Sequence, residues 1–376
     1  MRYRYSADKD GKLVKKAVIY TGEEHGINQA DVDGEAVSII RKLKSAGFDS
    51  YIVGGAVRDL ILGKKPKDFD IVSAASPSKI KRIFRNARII GRRFRLVHVY
   101  TTQKTFEVAT FRSLRDGHTS NTFGTIDEDV LRRDFTLNAL YYDPEQQIVV
   151  DYVGGMDDIK KKLIKPIINL NEIFSDDPVR MIRAVKYAAA AGFSLPGNLK
   201  MKITSQSNLL TSISPSRLTE EIFKIVNSDK AGVIVEFLDR MGIYSYIQPQ
   251  AAQLMRKNSN FKKSYLQTMA QLKGTENIKG QAISSLFVDY LESTSEWKPS
   301  QIENFKEICK TARDFMLPMN PPRFELEYAV KKFLAAKSIT IKRLHLPVKP
   351  KPTAETETTV KKKRKRRRKK KLSSEQ

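Results

Sequence analysis

The sequence predicts a mixed α/β head followed by an all-helical body and a disordered basic tail. Three observations carry that expectation. Between Asp31 and Gly155, short runs with strand alternation trade places with helical spacings. Beyond Gly155 the apolar patterns are helical up to about Ala336. From about Pro347 the chain turns Pro-, Thr- and Lys-rich and carries eleven consecutive cations.

The first thirty residues are polar and weakly periodic, and read as an extension with little structure of its own. In VDGEAVSIIRKLKSAG, Val37, Ile40 and Leu43 fall at helical spacing, with Gly47 as a stop. Tyr51–Val53 is a strand, Gly54-Gly55 a turn, and AVRDLIL a helix closed by Gly63. Phe69–Val72 is a second strand. Ser76-Pro77 then opens the helix SPSKIKRIFRNA. RLVHVYT and KTFEVATFR alternate around Thr102-Gln103 as a hairpin, and residues 113–127 are turn-rich. RRDFTLNALYY reads as a helix leading into a strand, and QQIVVDYV as another strand. The helices DDPVRMIRAVKYAAAAGF, PSRLTEEIFKIV and AGVIVEFLDRMG follow, and no internal repeat is found.

A chain of 376 residues with 40% hydrophobic content has room for two or three domains and a sizeable core. The single cysteine, Cys309, excludes an intramolecular disulfide and a cysteine-built zinc site. No apolar run approaches the ~20 residues of a bilayer span, and the N-terminal residues lack an apolar signal core, so a soluble, unprocessed protein is expected. The net charge is +26, and residues 342–376 hold fifteen basic and three acidic residues, so the rest of the chain is basic too. A polyanion, nucleic acid ahead of a membrane surface, is the expected partner.

Asp68 and Asp70 are one residue apart. On a strand both would share one face, with Phe69 turned into the core. Paired carboxylates repel unless cations neutralise them, and divalent ions do so while clamping the oxygens of a phosphoryl transfer. Alone, such a triplet is commonly just surface acids. The glycine turn upstream strengthens it, because Gly54 and Gly55 let backbone N–H groups approach phosphate, and Arg58 adds charge. A third carboxylate, Glu107, faces away from its core-directed neighbours Phe106 and Val108.

YIVGGAVRDLILGKKPKDFD, FEVATFR, RRDFTLNAL and DDPVRMIRAVKYAAAAGF together resemble class II nucleotidyltransferases of the polymerase beta superfamily. These are the CCA-adding tRNA enzymes and the bacterial poly(A) polymerases. The resemblance covers about residues 31–230, and IIGRRFRLVHV is similar to the poly(A) polymerase version. It implies a nucleotidyltransferase head over residues 31–155 after the 1–30 extension. A helical neck over 156–230, a helical RNA-binding body over 231–345 and a tail over 346–376 would follow.

By position, the resemblance implies that Asp68, Asp70 and Glu107 hold two Mg²⁺ ions, with Mn²⁺ able to substitute. Gly54, Gly55 and Arg58 would hold the triphosphate, Asp134 would accept from the ribose 2′-OH, and Arg133 and Asn138 would flank the sugar and phosphates. The plain alternative for this last segment is a helix start with Arg–Asp pairing.

Asp177 and Arg180 lie three apart, on one helix face, where the plain reading is a surface ion pair. The resemblance implies instead that they read the incoming base. A carboxylate beside a guanidinium satisfies the amino donor and ring acceptor of adenine. It mismatches guanine and uracil at about 1–3 kcal/mol per unpaired group. Cytosine offers the same order as adenine, so the pair alone does not separate ATP from CTP. Many relatives read Glu-Asp where this chain has Asp176-Asp177, which reads as a capping variation.

The function expected is a bacterial, cytoplasmic poly(A) polymerase that adds AMP from ATP to RNA 3′ ends of mRNA, small RNA or tRNA. The runner-up is a CCA-adding enzyme using CTP and ATP. A third reading is a non-catalytic RNA-binding protein, which the intact carboxylate set disfavours. No His-Asp dipeptide occurs, so no phosphohydrolase activity of that kind is expected.

The run Lys361, Lys362, Lys363, Arg364, Lys365, Arg366, Arg367, Arg368, Lys369, Lys370 and Lys371 repels itself and should stay unfolded until it meets RNA. Each single-stranded phosphate it neutralises adds about 0.7 to the log–log salt slope. Truncation before Lys361 should therefore weaken RNA binding and flatten that slope while ATP binding persists. An unchanged slope would show that the tail only solubilises.

Overall fold

A computed structural model of the chain describes residues 2–7, 13–91, 95–102, 104–113, 122–271, 286, 287, 290 and 303–339. The cationic run at 361–371 lies outside the described residues, as do positions 92–94 of the IIGRRFRLVHV segment and most of the expected loop after residue 113.

The head is built on one nine-stranded sheet in the order β1-β2-β9-β8-β3-β4-β7-β6-β5. The strands are β1 (Arg2–Ala7), β2 (Leu13–Tyr20), β3 (Ser50–Val53), β4 (Asp70–Ser73) and β5 (Ala87–Ile90), then β6 (Leu96–Tyr100), β7 (Thr105–Thr110), β8 (Leu140–Asp143) and β9 (Ile148–Asp151). All neighbours run antiparallel except β4 and β7, which are parallel with Ile71 opposite Val108.

The expectation of a largely unstructured N-terminal stretch is corrected. β1 and β2 pair from Arg2↔Ile19 to Ala7↔Leu13, and β2 joins the sheet through Val18↔Asp151. One turn of helix, α1 (Gly22–His25), follows with a capping box at Thr21.

The helices of the head are α2 (Gly34–Ser45), α3 (Gly55–Ile61), α4 (Pro77–Ile83), α5 (Ile126–Leu131) and α6 (Gly155–Lys160). Asp33 caps α2 by accepting from the N–H groups of Glu35 and Ala36. α3 begins after Gly54, at φ 72° and ψ −133°, a conformation open to glycine and to few other residues. Asp151 accepts from four successive N–H groups, those of Val153 to Met156, and so ties β9 to the start of α6.

RRDFTLNALYY departs from its sequence reading. Helix α5 precedes it, and the segment itself holds only a 3₁₀ turn, Thr136–Asn138, before β8. Phe135, Leu137 and Leu140 are all fully buried there without a helix. β5 is a further strand that the spacing does not announce.

Beyond α6 the chain is helical: α7 (Ile173–Asp176), α8 (Val179–Ala191), α9 (Gly197–Gln206), α10 (Pro215–Val226) and α11 (Ala231–Arg240). α12 (Tyr244–Ile247), α13 (Pro249–Lys257), α14 (Ser259–Gln271), α15 (Glu303–Met316) and α16 (Arg323–Ala336) complete the described helices. Residues of one sheet face and of these helices share a continuous core, from Ile40 and Ile71 through Met181 and Ile222 to Phe333. The opposite sheet face carries a smaller cluster around Tyr51, Val72, Phe111 and Tyr141. Bridges Phe135↔Pro166 and Leu163↔Ser194 stitch head to helices. No described helix is long and apolar enough to cross a membrane.

Candidate active site

Two cavities meet at the sheet edge where β3 ends and β4 begins. The smaller, about 570 Å³, is lined by Gly54, Gly55, Asp70, Asp134, Asn138, Asp177 and Arg180, together with five further arginines. The larger, about 830 Å³, carries Asp68, Asp70 and Arg58 beside six lysines, among them Lys67, Lys186 and Lys224. Gly55, Asp70 and Tyr187 border both, so Asp70 stands at their junction.

The parallel register decides how the carboxylates stand. Ile71 is opposite Val108, so Asp70 and Glu107, one step earlier on each strand, are lateral neighbours. Asp68 precedes the strand and is exposed, while Phe69 between them is buried. Asp70 is exposed at the start of β4, and the protein walls around its carboxyl raise its pKa above the ordinary value. Glu107 and then Asp68 add repulsion, against the pull of Arg133 and Lys224.

Hard oxygen donors suit Mg²⁺ or Mn²⁺, and this like-charge crowding is what a divalent ion relieves. The donor chemistry therefore fits. Glu107, however, leans toward His98, with Nε2 and Oε1 3.6 Å apart. Among the described residues no three carboxylate, imidazole or thiolate groups stand gathered as a finished metal cage.

The glycine turn lies against these acids: a methyl group on Gly54 would stand 3.9 Å from Asp70 Oδ2. Arg58 of α3 reaches sideways instead of forward. It donates to Asp59 at 2.8–2.9 Å and to Asn138 Oδ1 at 2.9 Å, and lies over the Tyr187 ring at 4.9 Å. Asn138 passes the chain on, donating to Asp134 Oδ1 at 3.0 Å. Asp134 Oδ2 lies 3.8 Å from Arg183.

Arg133 is held by a carboxylate that sequence reasoning missed. Asp129 of α5 is fully buried and binds Arg133 at 2.9 Å, Arg132 at 2.5 Å and the Tyr141 hydroxyl at 2.8 Å. Burial alone would push its carboxyl up; Arg133, Arg132 and Tyr141 outweigh that and bring it to about 2.

Asp177 and Arg180 do not form the surface ion pair of the plain reading. Both are buried, and each has another partner. Asp177 accepts from the Val179 N–H at 3.2 Å and from Arg217 at 2.6 Å. Arg180 donates to the Ile173 carbonyl at 3.1 Å and pairs with Asp176. The capping role expected of Asp176 is thereby corrected: it is an anchor for the Arg180 side chain.

Glu221 of α10 is the second missed carboxylate. It is 2% exposed and takes Arg183, Lys186 and Lys224 at 3.2–3.4 Å. Asp129 stands at the i,i+3 and i,i+4 helical spacings from Arg132 and Arg133, a signal the sequence does offer. No spacing rule ties residues 217 or 221 to the motifs they support. Only the fold brings them there.

A model of the Poly A polymerase head domain matches residues 50–165. One described as "Probable RNA and SrmB- binding site of polymerase A" matches residues 192–255. Poly(A) polymerase I of Escherichia coli O157:H7 is 41% identical over 243 residues, 60% of this chain and 52% of that protein. The CCA-adding enzyme of Geobacillus kaustophilus is 35% identical over 240 residues, 62% of this chain and 59% of that protein. Head and RNA-binding domains of the poly(A) polymerase kind are thus present, and the chain's homologues include bacterial poly(A) polymerases and CCA-adding enzymes.

It spans about half the length of the curated relatives it matches. The fold is shared with the crystal structure of the Bacillus stearothermophilus CCA-adding enzyme in complex with CTP. The TM-score is 0.57 at 24% identity, covering 80% of this chain and 82% of the other.

The clamp at Glu221 makes a pH prediction. Burial favours its neutral form, but Lys186, then Arg183 and Lys224, hold its pKa down at about 2. Its stabilising effect is thus complete above the ordinary carboxylate value and fades as pH falls toward 2. Glu221→Gln should lower unfolding free energy by about 3 kcal/mol at neutral pH. Denaturant titrations should show the deficit shrinking below about pH 4; a deficit independent of pH would contradict the clamp.

Proposed function

We propose that the chain is a template-independent nucleotidyltransferase that adds AMP from ATP to RNA 3′ ends and releases pyrophosphate. The observation that carries this reading is the position of Asp70. It sits at the junction of an arginine-lined cavity and a lysine-lined one, beside Glu107 on the parallel neighbour strand.

In this reading the smaller cavity takes the nucleoside triphosphate. The Gly54-Gly55 turn lets phosphate approach the first N–H groups of α3, which have no helical partner. Arg133, fixed by Asp129, faces the phosphates and sugar, and Asp134, oriented by Asn138, accepts the ribose 2′-OH. Asp177 and Arg180 read the amino donor and ring acceptor of the base, with Arg217 and Asp176 holding them in place. The lysine-lined cavity takes the RNA end, whose 3′-OH attacks the α-phosphate in line.

Asp68, Asp70 and Glu107, once Glu107 turns from His98, would hold divalent ions. Such ions lower the pKa of the attacking hydroxyl and neutralise the leaving pyrophosphate. The helices beyond residue 230 and the cationic tail would bind the RNA body.

A CCA-adding activity with CTP and ATP is the second reading. Family members named for each activity stand at 41% and 35% identity, and the base-reading pair accepts adenine and cytosine alike. Purified chain with Mg²⁺ and each labelled nucleotide should lengthen an unrelated RNA with ATP alone. Asp70→Ala should abolish incorporation, and Asp177→Ala should erode the preference over GTP and UTP by about tenfold or more. CTP incorporation confined to tRNA lacking its CCA end would replace the first reading with the second.

A further inference from the structure

The β1–β2 hairpin extends beyond the sheet edge that carries Asp70. β9 ends at Asp151, opposite Val18, and that end of the sheet is also the end of Gly54 and Asp70. β2 continues past it through residues 13–17, with β1 alongside. β1 has a strand neighbour only on its β2 side among the described residues. A bare edge of this kind invites pairing unless something covers or charges it.

What the hairpin presents is Arg2-Tyr3-Arg4-Tyr5, all four exposed. The Tyr3 and Tyr5 rings share one face, 6.3 Å apart and edge to face, and are 41% and 53% exposed. Arg4 turns to the other face and donates to the Tyr152 hydroxyl at 2.8 Å. Lys16 is exposed on the partner strand.

A basic strip connects this face to the lysine-lined cavity. Phe193 lines that cavity, and the next residue, Ser194, donates its N–H to the Lys162 carbonyl at 2.8 Å. Lys160, Lys161 and Lys162 are exposed. Lys162 holds φ 51°, a left-handed conformation more easily taken by glycine, so the cation is kept at a conformational cost. Lys160 lies over the Tyr20 ring at 5.8 Å, and Tyr20 shares a sheet face with Val18, the residue opposite Tyr3. Asp157, also exposed and near Tyr20, is the acidic member of this stretch.

We propose that single-stranded RNA leaves the lysine-lined cavity along Lys162, Lys161 and Lys160 and stacks bases on Tyr3 and Tyr5. This rests on the reading of that cavity as the seat of the RNA end. Aromatic rings interleaved with cations suit a single strand, because every base has a face to stack and every linkage a charge to neutralise.

Equilibrium titrations of the full chain with oligoadenylates of about four and about 20 nucleotides test it. Replacing Tyr3→Ala together with Tyr5→Ala should weaken binding of the long RNA about tenfold relative to the short one. Replacing both by Phe should keep the long-RNA affinity. An unchanged ratio of the two affinities would overturn the track, as would an equal loss in the Phe variant. So would a dimer that dissociates in the Ala variant while RNA affinity holds. The cavity reading is scored separately, by whether the wild-type chain extends the short RNA with ATP.

Discussion

Like charges crowd the pocket walls, and every other feature of the site follows from how they are held there. Six arginines border the smaller cavity, and cations at that density would turn toward solvent if left alone. Buried carboxylates prevent it. Asp129 grips Arg132 and Arg133, Glu221 grips Arg183, Asp176 grips Arg180 and Asp177 grips Arg217. Asp129, Asp176 and Glu221 do not line the cavity while their arginines do, so a positive face remains for an anion to meet without reorganisation; Asp177 lines it beside Arg217.

The opposite sign is concentrated on the strands. The parallel β4–β7 pairing sets Asp70 and Glu107 side by side, with Asp68 on the approach, and the surrounding protein raises the cost of keeping Asp70 ionised. An anionic rim beside a cationic pocket is a polarised site, suited to a triphosphate whose leaving group lies among arginines. The network Arg58–Asn138–Asp134–Arg183–Glu221 carries this polarisation from the head into α10, so the two cavities are lined by connected side chains.

Much of this was legible in the sequence, and the remainder was illegible for physical reasons. The strands at Tyr51 and Phe69, the glycine turn and the helices after Gly155 announce themselves because each buries one regular face. The β1–β2 hairpin does not, because Arg2–Tyr5 are exposed on both faces and bury nothing that alternates. RRDFTLNAL reads as a helix, but its apolar residues are buried by a single tight turn that no regular apolar period marks. The motif acids and arginines were visible by spacing. The supports Arg217 and Glu221 were not, since they gain meaning from partners up to forty residues away in the chain.

Acids packed against the arginines of the smaller cavity would hold them toward a bound polyphosphate. Calorimetric titration of the full chain with ATP, tripolyphosphate and adenosine tests it most directly. ATP and tripolyphosphate should both bind, adenosine at least about tenfold more weakly, and Arg133→Ala should remove the difference. Adenosine binding as tightly as ATP, with Arg133→Ala indistinguishable from the wild type, would contradict it.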